Sequence, residues 1–272
     1  MSRLLRDPVF VVVSFLLFLH VVLATFGTQL APFPFDKMDF GARMASPNSN
    51  HWFGTDSFGR DVLSRVLVGG KITLQFGFGA VFVCFLIGLP IGLISAYFGG
   101  WVDQTLMRVM DVLMSFPTLL LGLLILIIAG PNIVNLILAV GLAYCPRTAR
   151  MVRGAALAVR NSTYIEAAEA RGESSIYIMV HELLPSCAGS ILVEFCIRLS
   201  YAILLGASFN YLGLGVQPPA ADWGALVQEA RSTMMLAPWT VVFPILFIST
   251  LVAPLHLLGD RIDEWFKGNG RA

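Results

Sequence analysis

Long apolar runs are the feature that most constrains this chain. A helix needs about 20 mostly apolar residues to cross a bilayer, and here 57% of 272 residues are hydrophobic while only 13% are charged. The runs lie at 9–28, 72–97, 113–129, 133–145, 190–212 and 239–258, of which the third and fourth are short. The sequence therefore predicts an all-α membrane protein with six transmembrane helices and both termini on the same side.

The first apolar run has two interpretations. Arg3 and Arg6 precede Val9–Thr28, and small residues follow near Ala24, which also fits the outline of a signal peptide. The run is long for a signal core, and another apolar domain follows it. We therefore expect an uncleaved first span.

The basic residues predict the orientation of the spans. Cytoplasmic loops of membrane proteins carry an excess of Lys and Arg. The loop at 146–189 is rich in arginine, whereas the basic residues of the loop at 29–71 are accompanied by several aspartates. We predict that both termini and the loop 146–189 lie in the cytoplasm.

Several classes of protein are not indicated. The net charge of +1 argues against a nucleic-acid binder. No enzymatic constellation is visible, and Gly-Gly-Lys at 69–71 lacks the other residues of a phosphate-binding loop. The cysteines lie far apart, without metal-ligand spacing, at positions 84, 145, 187 and 196. We expect no catalytic residue, bound metal or cofactor in this chain.

Glu194 and Arg198 are charged residues within a predicted span. Their i,i+4 spacing places both on one helical face, so that they can pair. Charge inside a membrane is a candidate functional site by default. Two interpretations remain open: a polar patch lining the solute path or its gate, or a structural ion pair that faces a neighbouring subunit or the membrane interface.

Residues 164–185, YIEAAEARGESSIYIMVHELLP, form a polar stretch in an otherwise apolar chain. The pattern predicts a helix over 164–169, a turn at Gly172, and a second helix over 175–184 that ends at Pro185. The alanines at 167, 168 and 170 are predicted to be small surface residues. Such an element is either a docking site for a cytoplasmic partner or a solvated loop.

The same stretch resembles a known family signature. Glu-Ala-Ala at 166–168, Gly172 and Leu-Pro at 184–185 resemble the EAA signature of permease subunits of binding-protein-dependent ABC importers. More specifically, the chain resembles the C-type subunit of the dipeptide/oligopeptide/nickel permease group. The segments that carry this likeness are HWFGTDSFGRDVLSRVLVGGKITL (51–74), MSFPTLLL (114–121), ARMVRGAAL (149–157), YLGLGVQPPAADWGALVQEAR (211–231), APWTVVFP (237–244) and LLGDRIDE (257–264).

The resemblance implies a type I ABC importer permease fold (MetI-like) in the bacterial inner membrane. It implies four kinds of partner, namely a homologous B-type permease, two cytoplasmic ATPases that bind the ATP, an extracytoplasmic solute-binding protein and membrane lipid. Glu166, Ala167, Ala168 and Gly172 would form the coupling helix that docks on an ATPase, together with its turn. Residues 51–71 and 211–236 would lie near the binding protein and the extracellular gate.

The resemblance also predicts three regions: an N-terminal span with an extracytoplasmic segment (1–71), a five-span permease core (72–264) that includes the EAA loop (146–189), and a cytoplasmic tail (265–272). The expected solutes are di- and oligopeptides, with nickel or a metal chelate as the alternative. From another class, a stand-alone secondary transporter or channel remains a third hypothesis.

Several residues depart from the family pattern, including the two charges of the fifth span and an extra proline at position 254 in the sixth. Where His-Ile-Leu-Pro is usual, this chain has His181 one place early and Glu182 at the usual histidine position. Near the C-terminus, His256 replaces an asparagine. These departures leave the role of the histidine, and the exact solute, open.

Overall fold

The computed structural model describes residues 7–268, which form an all-helical bundle. Arg3, Arg6 and residues 269–272 of the predicted tail lie outside the described residues. The helices are α1 (Pro8–Leu30), α2 (Val62–Phe98), α3 (Gly100–Ser115), α4 (Thr118–Ala129), α5 (Ile133–Arg160), α6 (Thr163–Ala170), α7 (Ser175–Tyr177), α8 (Leu184–Ser186), α9 (Ala188–Tyr211), α10 (Trp223–Ala230) and α11 (Trp239–Gly268), with a π-helical turn at Ile178–Leu183. Over this range the structure has no β-strand.

Four helices, α1, α2, α9 and α11, are long and apolar enough to cross a membrane. A further candidate is the pair α3 and α4, which meet at an angle of 86° and form either one broken span or a re-entrant loop. Helix α5 combines an apolar first half with arginines in its second half. The count of six spans therefore remains a prediction.

The third predicted span, 113–129, is wrong as a continuous helix. The chain breaks at Phe116, which has an extended backbone (φ −83°, ψ 133°). Pro117 explains the break, because a proline disfavours the helical conformation of the residue before it and lacks an N–H to donate. Only the 12 residues of α4 continue the apolar run.

Helices α2 and α5 are longer than the apolar runs that predicted them. Helix α2 begins at Val62 rather than Ile72, because the side chain of Asp61 accepts the backbone N–H of Ser64 (2.8 Å) and so caps an earlier first turn. Helix α5 continues past Cys145 to Arg160. Helices α2 and α11 run across the predicted boundaries at 71 and 264, and the division of the chain into three regions remains a prediction.

Close packing of α2, α5 and α9 forms the centre of the bundle. A Cβ on Gly92 would lie 2.6 Å from the carbonyl oxygen of Ala149, and one on Gly206 would lie 1.9 Å from the ring of Phe76. Small residues of this kind let membrane helices approach each other closely. The glycines thus fix how α2 sits against both of its neighbours.

Candidate functional site

The candidate site predicted in the loop 146–189 begins with the turn that follows α6. Gly172 has a φ of +79°, its N–H donates to the Glu169 carbonyl (2.9 Å), and the next N–H, of Glu173, donates to the Ala168 carbonyl (3.2 Å). These two bonds define a Schellman motif, which needs a left-handed residue that glycine adopts without strain. The turn predicted at Gly172 is therefore present, between α6 and α7.

One face of α6 is buried in this chain. Ile165 and Ala168 are fully buried, in a cluster with Val152 and Ile178. The prediction that Ala168 is a surface residue is wrong, because its position three residues after Ile165 places it on the same inward face. The exposed face carries Glu166, Ala167 and Ala170. Of the predicted coupling residues, Glu166, Ala167 and Gly172 are thus accessible to a partner.

Arg160 fixes α6 to the ends of the long helices. Its Nη2 lies 2.8 Å from Glu169 Oε1, and its Nε donates to the carbonyl of Tyr97 (3.2 Å). The guanidinium also lies over the Tyr97 ring, 4.7 Å from its centroid. Arg160 ends α5 and Tyr97 lies near the end of α2, so these contacts link α6 to both helices.

Beyond the turn, a second helical run presents an apolar surface. Ile176 is 72% exposed, and Tyr177 and Val180 beside it are also exposed. Sequence reasoning missed this patch, although an apolar side chain in the middle of a polar loop was a usable signal. The run also continues through Pro185 to Ser186, so the prediction that it ends at Pro185 is wrong. A proline in the first turn of a helix is tolerated.

The two departures in this loop have nearby contacts. Glu182 lies 3.8 Å from Arg171, the residue that precedes the turn. The ring of His181 stacks on Tyr177, with 4.5 Å between the ring centroids. Glu182 therefore adds an ion pair between the two halves of residues 163–186, which contain the predicted coupling helix and are called the coupling segment below.

A buried ionic cluster joins the two predicted outer segments. Arg65 contacts Asp56 (3.1 Å) and Glu229 (2.8 Å), and Arg60 contacts the same two carboxylates. Burial opposes the ionisation of Glu229, but the hydrogen bonds and charges of Arg65 and Arg60 outweigh it and lower the pKa of this carboxyl. Residues 51–71 and 211–236 are thus brought together, through a cluster that the sequence did not reveal.

Asp222 provides a second link between α10 and α2. Its carboxylate accepts hydrogen bonds from Thr73 (2.7 Å) and Asn210 (2.7 Å) and from the backbone N–H of Gly224 (2.9 Å). Trp223 donates its indole N–H to the Val66 carbonyl (2.8 Å). Burial raises the pKa of Asp222 in spite of these donors. Helix α10 is therefore fixed to the first half of α2.

Glu194 and Arg198 do form the pair that their spacing allows. Arg198 Nε lies 2.6 Å from Glu194 Oε1, and Thr148 of α5 donates its hydroxyl to the same oxygen (3.1 Å). Cys84 of α2 lies 3.2 Å from the Thr148 hydroxyl. Glu194 is buried and Arg198 is partly buried, against α5 of the same chain. Its role remains a prediction.

The described residues show no group of three or more His, Cys, Asp or Glu side chains that could hold a metal ion. The described helices are those of a multi-pass membrane protein, with the short helices after α5 near one end of α2 and the ion-linked segments 51–71 and 211–236 near the other. Both elements contact α2, one at each end of that helix.

Comparison with known proteins identifies the family. Residues 88–268 match the family model "Binding-protein-dependent transport system inner membrane component", and the chain belongs to that family. It is 39% identical, over 96% of its length and 87% of the relative, to the glutathione transport system permease protein GsiD of Pectobacterium atrosepticum. It is 40% identical, with the same coverage, to GsiD of Shigella dysenteriae and of Escherichia coli.

Solved structures agree in fold. The MetNI methionine ABC transporter, in inward-facing conformations, matches with a TM-score of 0.59 and 22% identity, covering 74% of this chain and 95% of the other. An amino acid ABC transporter with histidines matches with a TM-score of 0.55 and 20% identity, covering 75% and 94%. The chain is therefore a permease subunit of an ABC importer, a multi-pass membrane protein and not an enzyme.

Proposed function

We propose that this chain forms, with a homologous B-type permease, the translocation path for di- or oligopeptides, including glutathione-like peptides. The observation that carries the proposal is the identity of 39–40% to glutathione permeases over 96% of the chain. A solute-binding protein delivers the peptide on the outer side. ATP is bound by two separate ATPase subunits, because this chain carries no phosphate-binding loop of its own.

The coupling segment is proposed to dock on one of those ATPases. Its exposed face combines the charge of Glu166 and the small side chain of Ala167 with the apolar side chain of Ile176. A short helix fits a groove on a partner when it offers an apolar side chain for the groove and small side chains that let the partner approach its backbone. Because Arg160 ties α6 to both long helices, closure of the ATPases would move those helices as a unit.

We place the termini and the coupling segment in the cytoplasm, and α10 with the loop before α2 on the outer side. The arginines in the second half of α5 support this orientation. In this arrangement the Arg60, Arg65, Asp56 and Glu229 cluster lies beside the docking surface of the solute-binding protein. Because the cluster links α10 to α2, it holds the two parts of that surface together.

Solute uptake by cells that lack this permease, with and without the restored gene, tests the substrate class. Labelled glutathione, labelled dialanine and radioactive Ni²⁺ are compared under the same conditions. We expect restoration of peptide uptake and no change in Ni²⁺ uptake. Restoration of Ni²⁺ uptake alone would replace peptides with the nickel or metal-chelate alternative.

A further inference from the structure

Helix α3 lies across the bundle instead of along it. It meets α4 at an angle of 86°, while α4 and α5 are joined by a short turn and pack on each other. Asp103 of α3 bonds Arg153 of α5, with 2.6 Å between Oδ2 and Nη2. Asp111, eight residues later, pairs with Arg150, three residues earlier on α5. The two aspartates are about 12 Å apart along α3 and the two arginines only about 4.5 Å apart along α5, so α3 crosses α5 steeply.

The crossing point is near the end of the apolar part of α5. Arg147 is the first charged residue of this helix. From Ile133 to Arg150 the helix rises about 26 Å, which is close to the ~30 Å of a bilayer core. The 12 residues of α4, together with the extended residues 116 and 117, reach about 25 Å. The two helices thus form a hairpin across most of the core, and α3 lies at its boundary.

The exposed side of α3 is divided into two rows. Trp101 is 76% exposed, and Val109 and Val112 are exposed on the same side of the helix. The polar side chains of Gln104 and Arg108, four residues apart, form the neighbouring exposed row. An apolar row beside a polar row is typical of helices that lie in the plane of a membrane surface, and Trp is enriched at that depth.

The environment that fits this side of α3 is the surface of a bilayer. Directly after α3, exposed apolar side chains continue along α4 at Leu120, Leu124 and Ile127. The long apolar helices of the chain already require a membrane. At the boundary of that membrane, an apolar row can face the acyl chains while a polar row faces the headgroups and water.

We propose that α3 is a membrane-surface helix that lies in the cytoplasmic headgroup layer and binds the phospholipid bilayer. Trp101, Val109 and Val112 face the acyl boundary, and Arg108 lies beside lipid phosphates, which a guanidinium binds well. Asp103 also accepts the Ser95 hydroxyl near the end of α2, so the bilayer surface is connected to both α2 and α5. This placement uses the proposed orientation only to name the side of the membrane, and it is independent of the solute.

Quenching of fluorescence by brominated lipids measures the depth of Trp101. The complete transporter is placed in nanodiscs whose lipids carry bromine either near the glycerol end or near the methyl end of the chains. The signal of Trp101 is the difference between the protein and its Trp101→Phe variant. Two references are added to that variant: Phe18→Trp, at an exposed site in the middle of α1, and Gln104→Trp, in the polar row of α3. Iodide in the buffer reports exposure to water.

We expect bromine near the glycerol end to remove more of the Trp101 signal than bromine near the methyl end, with the opposite order for the Phe18→Trp reference. The Gln104→Trp signal should lose more to iodide than the Trp101 signal does.

Three results would overturn the inference. Stronger quenching of Trp101 by bromine near the methyl end would make α3 part of a broken span. Loss of the signal to iodide alone would place Trp101 in water, and loss to neither quencher would place it under a partner subunit. Because no transport is measured, failure of the peptide proposal leaves this test unaffected.

Discussion

At the scale of single residues, Gly172 shows what the sequence could predict. A glycine after a short helix of small residues indicates a left-handed turn, and the structure has that turn. No atom lies within 4 Å of a Cβ placed on Gly172. Backbone conformation, rather than space, therefore requires glycine here.

Replacing Gly172 with alanine should weaken the coupling turn. The left-handed conformation costs a non-glycine residue about 1 kcal/mol, so the segment should be less ordered and should bind the ATPases less well. Co-purification of the ATPase subunits measures the effect. The matched control is Gly154→Ala, which also meets no atom within 4 Å but has no left-handed backbone. Equal ATPase recovery from both variants would contradict this account of the turn.

Glu229 shows what the sequence could not predict. It bonds Arg65 and Arg60 across separations of 164 and 169 residues, and no local pattern joins positions so far apart. Asp56 and the two arginines are charges close together in sequence, which a solvated loop would explain equally well. Only the fold reveals that these charges are buried together.

The lowered pKa of Glu229 predicts an acid-dependent stability. A carboxyl whose folded pKa lies below its unfolded value stabilises the protein above the unfolded pKa and loses that contribution as the pH falls through the folded one. The melting temperature of the purified protein should therefore fall as the pH drops below about 4.5. Glu229→Gln should lower the melting temperature at pH 7 and reduce this acid-dependent fall. The control is Glu264→Gln, at an exposed site, and identical curves for both variants would contradict the prediction.

At the scale of whole elements, apolar runs located the spans but not their ends. The runs that predicted α1, α9 and α11 fall within those helices or within a residue or two of their ends. The first turns of α2 and the second half of α5 carry charged residues that a hydropathy pattern excludes, although capping and packing keep them helical. The break before α4 could have been predicted from Pro117, but the continuous apolar run around this proline indicated an unbroken helix.

The packing of α9 on α2 gives a prediction at this scale. In Gly206→Ala the new Cβ would lie 1.9 Å from the ring of Phe76, which is almost completely buried. Overpacking of this kind costs roughly 1–3 kcal/mol or more. The melting temperature in detergent should fall by several degrees, while Gly154→Ala should change it little. No change in the Gly206 variant would show that α2 and α9 do not pack as described.

The second helical run of the coupling segment gives another prediction at this scale. Ile176→Asp places a charge on the exposed apolar patch without disturbing the buried face of α6. We expect loss of ATPase association with normal membrane insertion, measured by co-purification and membrane fractionation. Gln104→Asp, at an exposed site on α3, serves as the control. Full ATPase recovery with the Ile176 variant would remove this patch from the proposed docking surface.

At the scale of the whole molecule, α2 connects the two candidate sites. Its first turn carries Arg65, which belongs to the buried ionic cluster with Glu229. Near its other end, the Tyr97 carbonyl accepts a hydrogen bond from Arg160, beside the coupling segment. Its close packing on α5 and α9 fixes its position relative to both helices. We therefore expect the outer surface and the coupling segment to move together.

Reconstituted uptake tests the central claim most directly. Proteoliposomes that contain both permeases and the ATPases, with the binding protein and labelled glutathione outside and ATP inside, are compared with the same vesicles without this chain. We predict accumulation that requires ATP hydrolysis, the binding protein and this chain together. Glutathione uptake by this chain alone, without ATPase subunits, would contradict the account and favour a stand-alone transporter.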